Sequence, residues 1–161
     1  MHPIRVRVLA LLFGLAAAGS VCAAPPINTF GEGGGFFSDP PRTDIAIRGY
    51  DPVAYFLDGR PVPGSDRYVH VWRGARWKFA SQAHLDRFVA APEQYAPQYG
   101  GYCAYGVADG HLVKIEPEQW AVIDGKLYLN YDAAVAGKWK KDPAGYIRKA
   151  DAAFDGLVGA R

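Results

Sequence analysis

Two β-hairpin signals constrain the fold of this chain more than any other feature of its sequence. In each, a stretch dense in strand-forming residues meets a two-residue turn and is followed by a second such stretch. The segments are residues 68–72 and 76–79 around Arg73-Gly74, and residues 120–123 and 126–129 around Asp124-Gly125. The sequence therefore predicts two antiparallel β-hairpins.

Helix signals follow each hairpin. Ser81 can cap a helix over residues 82–91, which carries apolar side chains at helical spacing. A second short helix is predicted over residues 92–99. Two C-terminal helices, separated at a proline, are predicted over residues 132–141 and 143–154.

The remaining patterns complete an α+β fold. Asp51-Pro52 places a capping residue before a proline, which predicts a short helical turn. Residues 102–107 alternate as a strand does, with Cys103 on one face. We therefore expect a small single domain with two β-hairpins, a central helix after the first hairpin and helices packed at the C-terminus. No internal repeat is apparent in the sequence.

The aromatic content predicts a core built from rings. The chain has 10 Tyr, 8 Phe and 4 Trp. Four side chains recur at strand and helix spacing in the first hairpin and the helix after it. We expect these to be buried together: Trp77, Phe79, Leu85 and Phe88.

The first 23 residues have the order of regions of a secretory signal peptide. Arg5 and Arg7 form a basic start, residues 8–18 are apolar, and Val21-Cys22-Ala23 ends the segment with small residues. The apolar run is shorter than the roughly 20 residues that a membrane-spanning helix needs. A lipoprotein signal would require a small residue where Val21 precedes Cys22. We expect cleavage after residue 23, a periplasmic or secreted protein, and no membrane span after cleavage.

Composition divides the rest of the chain in two. Residues 24–43 are rich in Gly and Pro without a period, which predicts a flexible leader that Phe36 and Phe37 could dock. Residues 44–158 form the predicted domain with its C-terminal extension.

The charge balance excludes one class of partner. The chain contains 18 Lys and Arg against 16 Asp and Glu, and the signal peptide carries two of the arginines. A mature chain without net charge has no strong attraction to phosphate backbones. Nucleic-acid binding is therefore not expected.

The motifs of common enzyme classes are missing from the sequence. It has no G-x-G-x-x-G, P-loop, H-E-x-x-H or G-x-S-x-G motif and no CxxC pair. We therefore do not expect a classical enzyme. Of the histidines, His70 is predicted on the solvent face of a strand, His84 on the edge of a helix and His111 in a loop.

Cys103 is the only cysteine left after cleavage, so an intramolecular disulfide is impossible. A lone cysteine in an oxidising compartment is either buried and inert or retained for reactivity or metal binding. Gly100-Gly101, just before it, permit a backbone bend that could expose the side chain. The sequence leaves both interpretations open.

A set of short motifs resembles the YHS domain. Metal-associated members of that family read D-P-V-C, then Y-x-F-C-S-x-x-C-x-x-x-F, then P-x-x-Y. The matching residues here, within residues 49–99, are Asp51-Pro52-Val53, Phe79, Ser81, Phe88, Pro92 and Tyr95. The segments 49–56, 95–105 and 124–131 are also similar to an exported bacterial branch of the family. The resemblance implies selenocysteine at the position of Cys103 in some members of that branch.

This chain departs from the metal-associated pattern at its cysteines. Ala54, Ala80 and His84 stand where the family has thiols, so an all-cysteine zinc site is lost. Thiolate and imidazole together suit copper or zinc, and export favours copper. The candidate metal ligands that remain are Cys103, His84 and His111, with His70 in reserve.

Three functions are compatible with these residues. The first is an exported metal-binding module, copper favoured, whose partner is the metal ion or a metal-handling protein. The second is a thiol redox protein in which Cys103 is the catalytic residue and a redox protein is the partner. The third is a structural or interaction domain with a buried cysteine. For the first two, we expect Cys103 and His84 to approach each other.

Overall fold

A computed structural model describes residues 24–32 and 40–159 and confirms a small α+β domain with two antiparallel β-hairpins. Its helices and strands are α1 (Ala54–Leu57), β1 (Ser65–Trp72), β2 (Ala75–Phe79), α2 (Gln82–Ala90), α3 (Pro92–Tyr95), α4 (Ala104–Ala108), β3 (Glu116–Ile123), β4 (Lys126–Asn130), α5 (Ala133–Trp139) and α6 (Pro143–Leu157). Two 3-10 turns, Ala46–Gly49 and Gln98–Gly101, precede α1 and α4.

Some predictions fall on other parts of the chain. The predicted signal peptide, Phe36 and Phe37 lie outside the described residues. Within the described part, no helix has both the length and the apolar character needed to cross a bilayer.

Both predicted hairpins are present, and they share one irregularity. Each ladder is regular next to its turn. The register of β1 shifts between Ser65 and Val69, and β3 shifts at the equivalent place. Arg73-Gly74 and Asp124-Gly125 both have positive φ at the two turn residues, which is the type I′ geometry that matches strand twist.

The described chain contains a structural duplication. β3 begins and ends 51 residues after β1, and β4 stands at the same offset from β2. The offset also relates the helix caps Ser81 and Asp132 and the prolines that begin α3 and α6. We call residues 46–95 unit one and residues 98–157 unit two. Each unit runs from a 3-10 turn through a short helix and a hairpin to two helices.

The 3-10 turns support the same alignment with an offset of one more residue. Ile47, Arg48 and Gly49 have positive φ in unit one, as do Tyr99 and its two following glycines in unit two. Asp51 is then equivalent to Cys103, since each stands two residues after its last glycine. Between this residue and the first strand of its hairpin, unit two has one residue fewer than unit one.

The sequence shows no repeat, but the structure shows a repeated order of helices and strands. Equivalent positions share backbone geometry while their side chains differ. Trp77 corresponds to Tyr128, Phe79 to Asn130 and Phe88 to Trp139. A search for similar residues does not detect such a pair of units.

The core has two clusters, and the first draws residues from both hairpins. Trp77, Phe79 and Phe88 are fully buried together as predicted, and Leu85 packs against them partly buried. Three buried residues of unit two belong to the same cluster: Cys103, Leu127 and Leu129. The second cluster surrounds Trp139, the equivalent of Phe88, and includes Tyr99, Tyr102 and Tyr128.

One strand prediction and one helix prediction needed correction. The strand predicted over residues 102–107 is a 3-10 turn end followed by helix α4. Cys103 accepts the N–H of Gly106 and Asn130 accepts that of Tyr105, so the donors at the helix start are satisfied without a strand partner. The helix predicted over residues 92–99 ends at Tyr95 and the chain then enters a 3-10 turn.

Residues 24–32, the first part of the predicted leader, pack onto the domain. Ile27 and Phe30 are buried. The N–H of Asn28 donates to the carbonyl of Gly100 (2.9 Å), and its carbonyl accepts from the N–H of Ile47 (3.0 Å). Asn28 therefore joins the two 3-10 turns, one from each unit.

Candidate functional site

Asp51 joins three segments of unit one through a fully buried carboxylate. Its Oδ1 accepts the N–H of Val53 (2.8 Å) and of Ala54 (3.4 Å) at the start of α1. Its Oδ2 accepts the N–H of Ala80 (2.8 Å), which follows β2, and contacts His84 Nδ1 at 2.7 Å. The predicted capping role of Asp51 is confirmed, and it extends to the hairpin and to α2.

His84 lies in the first turn of α2, where Ser81 caps the helix by accepting its backbone N–H at 3.2 Å. The imidazole is 14% exposed and is held at Nδ1 by Asp51. Only Nε2 is left for a ligand. A carboxylate on one ring nitrogen is the arrangement that orients metal-binding histidines.

Cys103 is the N-cap residue of α4 and is 1% exposed. Its Sγ accepts the N–H of Gly106 at 3.4 Å and donates to Asn130 Oδ1 at 3.8 Å. Burial raises the pKa of the Cys103 thiol, although the backbone N–H groups of Gly106, Tyr131 and Tyr105 act in the opposite direction. The thiol is therefore neutral near pH 7.

One contact of Cys103 matches a contact of Asp51: Gly106 donates its N–H from the third residue after Cys103, as Ala54 does from the third residue after Asp51. Two residues after the buried side chain the units differ, because Val53 donates to Asp51 whereas Tyr105 donates to Asn130. At the end of the second hairpin, Cys103 contacts the side chain of Asn130 rather than a backbone N–H. In each unit the side chain connects the start of a short helix to the end of a hairpin. We call this arrangement the staple.

The other sequence candidates do not join either staple. His111 follows α4, with 69% of its side chain exposed, and its nearest acidic group is Asp109 at 4.0 Å. His70 was predicted on the solvent face, and this is wrong: its ring packs against Phe88 while neighbouring Val71 is exposed. The strand alternates regularly from Val69 to Trp72, and the prediction assigned the wrong face to the core: His70 and Trp72 face Phe88.

Cys103 and His84 have separate polar partners. Cys103 belongs to the staple of unit two and His84 to that of unit one, and no hydrogen bond in the described part of the chain joins them. Residues 24–32 and 40–159 contain no group of three or more His, Cys, Asp or Glu side chains that could hold a metal ion.

Sequence reasoning missed Asn130. It is 1% exposed, and its Oδ1 accepts the N–H of Tyr105 at 3.3 Å as well as the thiol of Cys103. Its Nδ2 has no hydrogen-bond partner among the described residues. Asparagine is unfavourable in strands. A polar side chain directly after the apolar run 127–129 was the sequence signal that could have identified Asn130 as a functional or structural residue.

Comparisons with protein-family models, with curated proteins and with solved structures find no match to this chain.

Proposed function

We propose that this chain is a binding module of the YHS type in which Cys103 is a structural residue. The observation that supports this most directly is the equivalence of Cys103 and Asp51. Both side chains are buried, and each accepts the backbone N–H of the third residue after it. Asp51 already serves the fold of unit one, so a structural role is sufficient to account for Cys103.

The state of the thiol also favours a structural role. The thiolate is the form of cysteine that attacks oxidants and binds metals. Burial raises the pKa of Cys103 and therefore disfavours that form. A polarisable neutral thiol is well suited to packing inside a core.

The position of the sequence resemblance is consistent with this proposal. The YHS-like motifs within residues 49–99 coincide with unit one. Because unit two has the same order of elements, we extend the assignment and treat the chain as two YHS-like units side by side. The signal-peptide pattern supports a periplasmic or secreted location for this module.

Peroxide treatment of the folded mature protein tests the structural role. We expect the intact mass to show no oxygen added at Cys103 during a time in which the same chain in urea is fully oxidised. Cys103→Ser is the matched control, since it reports any oxidation of other side chains. Rapid addition of oxygen to Cys103 in the folded protein would contradict the proposal and favour a single-cysteine redox function.

A second candidate function is metal binding at His84, with copper favoured. The buried Asp51 carboxylate at Nδ1 supports it, because such a carboxylate orients the ring and raises the basicity of the other nitrogen. In this candidate Nε2 of His84 is the first ligand. Cys103 and His111 remain proposed ligands only if the metal recruits them.

Anaerobic copper(I) titration separates the two candidates. The binding-module proposal expects no stoichiometric uptake by wild type. Stoichiometric uptake that is lost in His84→Gln but retained in Cys103→Ser would favour a metal site built on His84. Loss in both variants would favour the thiolate–imidazole pair that the sequence analysis considered.

A further inference from the structure

A cleft of about 330 Å³ lies between the two units. One wall is the turn end of the first hairpin together with α3, and the other is the C-terminal half of α6. The second 3-10 turn and Ile27 of the N-terminal segment also line this open cleft. This volume is within the range of small-ligand pockets, which often lie between structural units.

The charges that line the cleft are unbalanced. Arg73 Nη2 pairs with Glu93 Oε1 at 2.6 Å, so these two charges cancel. Asp151 and Asp155 then remain, and neither has a basic partner within the described part of the chain. Both carboxylates are solvent-exposed, and among the described residues the cleft presents them without a basic partner.

The position of these carboxylates on α6 is unfavourable for the helix alone. Asp151 and Asp155 are four residues apart, and like charges at this spacing repel each other. They also lie toward the C-terminal end of α6, whose dipole is negative and whose last turn has no basic residue. A bound cation would relieve both effects.

Aromatic side chains supply an independent feature of the same cleft. Trp72, Tyr99 and Phe154 line it, with the rings of Tyr99 and Phe154 5.7 Å apart. The guanidinium of Arg73 already lies 4.5 Å from the centre of the Trp72 ring. Aromatic faces attract guanidinium groups and also pack against apolar stems.

Tyr99 holds one carboxylate in place. Its hydroxyl donates to Asp151 Oδ1 at 2.9 Å. Burial, with the Asp151 carboxylate next, raises the pKa of Tyr99, so the hydroxyl keeps its proton and remains a donor.

The equivalent cleft of unit two provides an internal comparison. It lies between the end of the second hairpin and the start of α6. Its charged lining residues are Asp124, Lys126 and Arg148, so it has an excess of positive charge. We therefore expect a cation to bind in the cleft of unit one and not in that of unit two.

From the volume, the aromatic walls and the paired carboxylates together, we infer that this cleft binds a guanidinium group carried on an apolar stem. Two carboxylates can accept the several N–H groups of one planar guanidinium. The group belongs either to a free small molecule or to an arginine side chain of a partner. This inference rests on the binding-module function proposed above.

Calorimetric titration of the folded mature protein with n-butylguanidinium tests the inference, with n-butylurea as the neutral ligand of the same shape. We expect saturable binding of the first and at least about tenfold weaker binding of the second, the effect typical of one lost charge-assisted bond. Asp155→Asn and Asp151→Asn should each weaken the binding of butylguanidinium about tenfold. Asp58→Asn, an exposed carboxylate of unit one, should bind as wild type does.

Asp155→Asn removes no hydrogen bond or ion pair of the described chain, so its folding is not at risk. Equal binding of the two ligands, no saturation by butylguanidinium, or equal weakening by Asp58→Asn would overturn the inference. A titration with acetyl-Gly-Arg-Gly-amide identifies the source: tighter binding than butylguanidinium indicates a partner's arginine, and weaker binding indicates a free molecule. If butylguanidinium does not bind while Cys103 stays inert to peroxide, the inference about the ligand is wrong and the structural role of Cys103 still stands.

Discussion

A carboxylate in unit one and a thiol in unit two each accept the N–H group of the third residue after them. Asp51 accepts hydrogen bonds with both oxygens and holds His84 as well. Cys103 makes longer and weaker contacts, and Asn130 supplies an additional partner. The two staples should therefore contribute unequally to stability.

Alanine substitutions at the two staples test this difference. Asp51→Ala leaves several buried donors unpaired, and we expect it to lower the free energy of unfolding by about 3–5 kcal/mol. Cys103→Ala removes a helix cap and a small side chain, with an expected loss of about 1–2 kcal/mol. Urea unfolding measures both, with Asp58→Ala as the surface control that should change little. A larger loss from Cys103→Ala than from Asp51→Ala would contradict the unequal staples.

The pKa of Cys103 predicts a pH dependence of stability. Burial raises this pKa above its ordinary value of 9.0, so the folded state binds the thiol proton more tightly than the unfolded state does. The resulting stabilisation is present below the unfolded pKa and is lost as pH rises through the folded pKa. We expect the stability of wild type relative to Cys103→Ser to fall as pH increases above about 9. A constant difference in unfolding free energy between the two proteins from pH 7 to pH 10 would show that burial does not raise the pKa of Cys103.

The helices and strands that were predicted correctly lie mostly beside turn and capping residues. Arg73-Gly74, Asp124-Gly125 and Ser81 fix local backbone geometry through their own chemistry, so the elements beside them were placed correctly. Residues 102–107 were misjudged because their helix depends on Asn130, a contact distant in sequence. Local patterns cannot report such a contact.

The duplication makes a prediction about the two central helices. Phe88 in α2 and Trp139 in α5 are equivalent, and both are fully buried. We expect Phe88→Ala and Trp139→Ala each to cost about 3–5 kcal/mol in thermal or urea unfolding, the usual range for a buried aromatic side chain. Val89→Ala, at an exposed position of α2, should cost well below 1 kcal/mol. A small loss of unfolding free energy in Trp139→Ala, with a large loss in Phe88→Ala, would mean that unit two lacks a core of its own.

In the whole molecule, the N-terminal segment connects the units. Asn28 is hydrogen bonded to both 3-10 turns, and Ile27 also borders the interunit cleft. Gly- and Pro-rich composition predicts flexibility, but it does not report the shape of the surface that accepts the chain. For the same reason the sequence identified Cys103 and His84 as candidates and could not assign them to different units.

Gly100 tests the connection between this segment and the units. A Cβ at Gly100 would lie 1.9 Å from the carbonyl oxygen of Pro26, and its φ of +59° is unfavourable for other residues. Gly59 has a similar φ of +63° with open space around it. We expect Gly100→Ala to lower thermal stability more than Gly59→Ala and to expose residues 24–32 to limited proteolysis. Equal effects of the two substitutions would show that the segment does not depend on this contact.

The central claim is that Cys103 belongs to the fold of unit two, and its alkylation rate as a function of urea tests that claim most directly. If the thiol is reached only when the domain opens, the opening free energy from iodoacetamide labelling at low urea should equal the free energy of global unfolding measured by circular dichroism. Fast labelling without urea, with an opening free energy far below the global value, would contradict the structural role and return Cys103 to the candidates for chemistry.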